Sequence, residues 1–265
     1  MMEQALTLLL IVFAGAFVMM AALWVVQLVI KNAGVVDAGW AAGLGASAVF
    51  YALAADGDPT RRLLIALVGG IWGLRLTLHL LFDRIIGEEE EGRYQQLRED
   101  WGKNANRNLF IFFEFQALLV VVLSAPFLLA SLDETPGLTW LDYAGIALWV
   151  TGMLGVSIAD RQLQRFKRRP GTKGKVCKEG LWRYSRHPNY FFEWIVWCSW
   201  GLIALGAPYG WIGLTAPALI LFFILKVTGI PPTEKRALKS RGEAYREYQR
   251  TTSPFVPWPP KESAG

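Results

Sequence analysis

The chain has 265 residues, of which 53% are hydrophobic and 18% charged, and its formal net charge is +5. About 25% charged is usual for a water-soluble protein, and here the apolar residues gather in runs long enough to cross a hydrocarbon core of about 30 Å as helices. The composition excludes an ordinary soluble fold and points to an all-α, polytopic bundle in a membrane. Two histidines, the two cysteines Cys177 and Cys198, and the lack of CxxC or HExxH spacing argue against a zinc site and a disulfide. The basic residues flank apolar spans, so membrane topology explains the positive charge better than nucleic acid does.

In chain order, seven spans are expected: Ala5 to Ile30, Val35 to Ala55, Leu63 to Phe82, Leu109 to Ser131, Leu141 to Ile158 with a polar helical extension, Asn189 to Ala207, and Tyr209 to Ile230. The first begins MMEQ without a basic n-region and reads as a retained span, not a cleaved signal. Between Asp160 and His187 lie Arg161, Arg165, Lys167, Arg168, Arg169, Lys173, Lys175, Lys178, Arg183 and Arg186, while the turn around Asp133 and Glu134 holds no Lys or Arg. By the positive-inside rule the basic side is cytoplasmic, which puts the N-terminus outside and the C-terminus in the cytoplasm. The tail reads as one cytoplasmic interfacial helix from about Thr233 to Gln249, stopped at Ser253-Pro254. One integral domain over residues 1–265 is expected.

Three stripes of polar residues could carry chemistry. In the second span Asp37 shares a face with Trp40, near the cytoplasmic end; in the third, Trp72, Arg75, His79 and Asp83 follow helical spacing. A charged residue inside the bilayer must be paired or line a polar cavity; Asp37 either pairs with Arg75 or polarises a substrate. On the fifth span Asp160, Gln164 and Lys167 fall at i, i+4 and i+7, so an acid, an amide and a base face one way. They suit ribose hydroxyls, a carboxamide and phosphates, or they form a snorkelling helix end. In the sixth, Arg186 and His187 precede Pro188 at a helix start, a position that favours an anion, and Asn189 and Glu193 project from one apolar face. That pair either ties helices together or binds a ligand. Glu114 and Gln116 read as helix–helix glue. Gly43-Leu44-Gly45-Ala46-Ser47-Ala48 mimics a dinucleotide fingerprint but lies inside a span, where glycines serve close helix packing.

The stretch Gly180-Leu181-Trp182-Arg183-Tyr184-Ser185-Arg186-His187-Pro188-Asn189-Tyr190, with Glu193 after it, resembles the signature of the membrane steroid 5α-reductases and sterol reductases and their bacterial relatives. The tail from Gly242 to Arg250, closing on Phe255-Val256-Pro257-Trp258, is similar too. Isoprenylcysteine and phospholipid methyltransferases share both elements. Three features favour the reductases: Asp160 followed by Phe166-Lys167-Arg168-Arg169-Pro170, the segment Gly92 to Gly102 like that of the bacterial branch, and seven spans.

That resemblance implies a bacterial inner-membrane enzyme that uses NADPH to add a hydride to the activated C=C bond of a lipophilic enone: a 3-oxo-Δ4 steroid, a sterol or an isoprenoid-like ketone. The alternative is a SAM-dependent methyltransferase of a lipid or prenylcysteine. The first four spans would enclose the substrate, with Asp37, Trp72 and His79 at the catalytic end. NADPH would be held by Arg75, Asp160, Gln164, Lys167, Arg186, His187, Asn189 and Glu193, with Arg236, Arg241 and Tyr245 closing the site from the tail. By position Asp37 and Trp72 stand where the steroid reductases have a Glu and a Tyr. The partners expected are a lipophilic small molecule and membrane lipid, with no nucleic acid and no obligate protein partner.

Overall fold

The computed structural model describes residues 2–172 and 174–261; Lys173, counted above among the cytoplasmic basic residues, and the end of the chain at Gly265 lie outside them. Among the described residues the fold is all-helical, with no strand and one isolated bridge between Ser185 and Ser253. Six helices are long and apolar enough to cross a membrane. The sixth expected span is Pro188–Ala204, an apolar helix of 17 residues that reaches about 26 Å at about 1.5 Å per residue.

Helix α1, Met2–Ile30, buries only Leu8, Val12, Ala16, Met20 and Gln27, one narrow stripe along an otherwise open apolar cylinder. Lipid is the natural solvent of such a surface. The chain turns at Lys31, which has φ +55°, and enters α2, Val35–Ala54. Helix α3, Pro59–Leu80, starts with Asp58 accepting from the backbone N–H groups of Thr60 and Arg61, and it ends in a π-helical turn, Leu81–Ile85. The glycine run of α2 packs it onto α3 as expected. A Cβ on Gly73 would fall 2.5 Å from the Gly45 Cα, and one on Gly69 would fall 2.3 Å from the Ala48 Cβ.

Helix α4, Gly92–Trp101, is short and polar, and it leads through a 3-10 turn into α5, Ala105–Leu123. The fourth span is broken, not continuous: α5 stops at Ser124 and α6, Ala125–Ser131, restarts with Pro126 in its first turn. Proline lacks the N–H that would bond back to the preceding turn. Below the break, Arg61 is 1% exposed and lies 3.0 Å from Asp133 and 3.1 Å from Asp142, and it donates to the carbonyls of Thr135 and Gly137.

Helix α7, Trp140–Arg168, joins the fifth span and its polar extension in one rod, and α8, Pro188–Ala204, meets it where Gly152 and Gly155 leave room for Val196 and Phe192. The last span is segmented into a 3-10 stretch, α9 at Thr215–Phe222, and a π-helical turn, Phe223–Val227. The tail corrects the expectation of a single helix. It forms α10, Ile230–Arg241, and α11, Glu243–Thr251, separated at Gly242, whose φ of +55° costs little only for a residue without a Cβ.

The described chain divides into two compact units, one running up to Asp142 with Ile203–Ala216, the other comprising Tyr143–Leu202 and the chain from Pro217. Asp37, Trp72, Arg75 and His79 belong to the first, and the remaining candidate residues to the second.

Candidate functional site

In the first unit the polar groups gather at the start of α2. Asp37 is held from α4: Arg93 bonds one carboxylate oxygen through a terminal guanidinium nitrogen, and the Tyr94 hydroxyl donates to the other at 3.0 Å. Arg93 also lies over the Tyr94 ring, 4.6 Å from its centroid. Arg93 is therefore an ion-pair partner of Asp37, supplied by α4. The physical reason is the fold-back of α4 across the start of α2, anchored by Glu90. That carboxylate accepts from the Ala33 N–H at 2.7 Å and from Arg98 at 2.8 Å, and Arg98 in turn donates to the buried Gln27 of α1.

The other expected residues of this half sit on α3. Trp72 is fully buried and meets Trp40 edge-on, with centroids 6.1 Å apart. His79 contacts Asp83 one turn on, at 2.7 Å, and Arg75 is half-buried on the same helix. Sequence reasoning missed Arg93 and Tyr94 as partners of Asp37. The signal available was their place in the Gly92 to Gly102 segment, but only the fold shows what they touch.

In the second unit Arg186 and His187 converge on a residue that sequence reasoning also missed, Glu234 of α10. Arg186 Nε donates to Glu234 Oε1 at 2.7 Å, and its Nη1 donates to the carbonyls of Thr252 and Gln249. His187 Nε2 is 3.3 Å from the same Oε1, and its ring stacks on Tyr190. Tyr245 and Gln249 add bonds to Glu234 at 3.4 and 2.7 Å. The anion beside the start of α8 is thus the chain's own carboxylate. Burial, and then the Glu234 charge, push the Tyr245 hydroxyl up to about 12, so it remains a donor at neutral pH. Ser185 completes the clasp by donating to the Phe255 carbonyl at 2.7 Å.

Asn189 donates to Asp160 at 3.5 Å, and its own side-chain oxygen is buried without a hydrogen-bond partner. Glu193, one turn along α8, and Gln164, one turn beyond Asp160 on α7, are half-buried. Gln162, unremarked in the sequence, accepts from the Leu181 N–H at 2.9 Å and fastens the loop after α7. That loop and α7 border a cleft of about 440 Å³, lined by Lys167, Arg169, Thr172, Lys175, Cys177 and Arg241 among others. Arg241 reaches it by donating to the Lys175 carbonyl at 3.0 Å, while Arg236 is exposed on α10. Lys167, Lys175 and Arg241, with Arg169 paired to Glu179 at 2.6 Å, make one cleft that can hold a polyanion, and the Asp160–Asn189 pair offers an acceptor for a hydroxyl or amide.

A family model described as protein of unknown function (DUF1295) matches residues 23–252. The chain belongs to that family. Among curated proteins, the 3-oxo-5-alpha-steroid 4-dehydrogenase 1 of Homo sapiens is 28% identical over 113 residues, 42% of this chain and 40% of that protein. The Mus musculus enzyme of the same name is 39% identical over 59 residues, 22% of this chain and 23% of that protein. An uncharacterised protein of Schizosaccharomyces pombe is 24% identical over 277 residues, covering 91% of this chain and 77% of its own length. The DUF1295 chain thus spans about 40% of the length of the first steroid dehydrogenases it matches. The resemblance read from the Arg186–Tyr190 stretch is borne out at the level of the steroid 5α-reductase-like superfamily. No solved structure matches the chain.

Proposed function

We propose that this DUF1295 protein is an NADPH-dependent membrane reductase that transfers a hydride to the activated C=C bond of a lipophilic enone, a 3-oxo-Δ4 steroid, sterol or isoprenoid-like ketone. The observation that carries the reading is the cleft of Lys167, Arg169, Lys175 and Arg241. NADPH brings three phosphate groups, whereas SAM carries a net positive charge, so a cleft with Lys167, Lys175 and Arg241, and Arg169 paired to Glu179, favours the first over the second. The donor set fits. Lys167, Arg169, Lys175 and Arg241 would hold phosphate; Asp160, Gln164, Asn189 and Glu193 would meet hydroxyl and amide groups.

When bound, the nicotinamide would supply the hydride. The residues of the chain do the remaining work: the Glu234 clasp keeps Arg186, His187 and Tyr245 in place and joins the tail to the start of α8. The unit holding Asp37, Trp72, Arg75 and His79 would take the substrate, consistent with the similarity to steroid dehydrogenases. The distribution of basic residues supports a cofactor cleft on the cytoplasmic side of the membrane; the resemblance to the bacterial branch supports a bacterial inner membrane. The test is NADPH-dependent loss of the enone chromophore of a 3-oxo-Δ4 steroid by the purified protein in detergent or nanodiscs. Methyl transfer from labelled SAM without enone reduction would replace this reading by its alternative.

A further inference from the structure

Polarising a substrate carbonyl, one of the two roles open to Asp37 in the sequence, requires a hydrogen to donate. The geometry does not suit Asp37 to it. Each of its oxygens already accepts from a donor, Arg93 on one and Tyr94 on the other, which is the arrangement of a carboxylate. The donors lie across the contact. Tyr94 is fully buried behind the pair and spends its only O–H on Asp37. Arg93 has hydrogens to spare: its Nε is buried and makes no hydrogen bond, although the Glu91 carboxylate lies 3.5 Å away.

A buried guanidinium N–H that makes no hydrogen bond is costly and calls for an acceptor. The pair is also reachable. Asp37 and Arg93 keep 29% and 34% of their side-chain surface open. The guanidinium is planar and permanently charged, and it is pinned by Asp37 and by the Tyr94 ring beneath it, so its remaining donors point in fixed directions.

We propose that Arg93 is the oxyanion-binding group of the substrate half, donating hydrogen bonds to the substrate's carbonyl oxygen, and that Asp37 and Tyr94 are positioning residues that aim it. The inference rests on the reductase reading above. Hydride addition at the β-carbon moves the C=C electron pair toward oxygen, giving an enolate, and a proton from water then closes the α-carbon to leave the saturated ketone. Arg93 donates hydrogen bonds throughout and gives up no proton. A cationic donor fixed where negative charge develops is worth about 100-fold or more in rate.

The experiment follows the ultraviolet absorption of a 3-oxo-Δ4 steroid bound to the full chain without cofactor, since a donor on the carbonyl shifts the enone band to longer wavelength, and then follows turnover with NADPH. In wild type the band should shift. In Arg93→Gln the shift should vanish and kcat of the folded protein fall about 100-fold or more, with NADPH affinity held. Arg93→Lys, which keeps the ion pair, guards against misfolding and should show a diminished shift. Tyr94→Phe should lower kcat more modestly while KM changes little. An unchanged band and unchanged turnover in folded Arg93→Gln and Arg93→Lys would overturn the inference and leave the reductase reading standing. A wild type that reduces the steroid without shifting its band would do the same. A wild type that neither binds nor reduces the enone would overturn both.

Discussion

Glu234 Oε1 accepts from Arg186 Nε at 2.7 Å and lies 3.3 Å from His187 Nε2, so one carboxylate from the tail joins the two residues that lead into α8. The bonds from Arg186 to the Thr252 and Gln249 carbonyls close the same loop from the other side. Removing Glu234 would leave a guanidinium that is 8% exposed without its counter-ion. Breaking a buried pair from one side costs about 3–5 kcal/mol. Glu234→Ala should therefore release the tail, which limited proteolysis after α10 would detect, and lower the melting temperature. Glu234→Gln, which keeps an acceptor oxygen, should lose less.

A second buried ion cluster should behave differently. Arg61 is enclosed with Asp133 and Asp142 and touches none of the proposed cofactor residues. We predict that Arg61→Ala costs about 3–5 kcal/mol of stability but leaves the NADPH affinity of the surviving folded protein unchanged. Thermal unfolding and cofactor titration on the same preparation check both parts.

The contact of α2 with α3 admits no side chain at its closest point. A Cβ at residue 73 would meet the Gly45 backbone, which cannot swing aside as a flexible side chain would. Gly73→Ala should cost about 1–3 kcal/mol or more through forced separation of the helices. Gly92→Ala, where nothing lies within 4 Å of the new Cβ, should be close to neutral. Comparing their melting temperatures separates packing from glycine content.

Topology gives a further check. A reporter fused after Gly265 should be active in the cytoplasm, and one fused before the first span should report the opposite side, as the basic residues between Arg161 and Arg186 require. Cytoplasmic activity of both fusions would overturn the seven-span count.

The residues that face lipid were the most legible in the sequence, because hydrocarbon imposes long apolar runs and α1 shows little else. The glycines of α2 were legible for the same reason: a dinucleotide loop has no place in a span, whereas close packing does. The breaks at Ser124 and Gly242 were visible only as Pro126 and as one glycine among charged residues, signals too local to outweigh a continuing pattern. That Arg93 and Tyr94 would meet Asp37 was not legible, although their segment was singled out. Arg93 and Tyr94 lie 56 and 57 residues along the chain, and what brings them to α2 is a fold-back fixed by Glu90 and Arg98. Glu234 was hidden likewise, as one acid in a charged tail.

The most direct test of the account is equilibrium binding of NADPH and of SAM to the purified wild-type protein, with Lys167→Ala and Arg241→Ala alongside. The cleft is open to solvent, so each substitution should weaken NADPH about tenfold, or about 1.4 kcal/mol, and rising salt should weaken wild-type binding further. SAM should not compete. Tight SAM binding with no NADPH binding, or NADPH affinity untouched by both substitutions in folded protein, would contradict the assignment of the cleft and the reductase reading built on it.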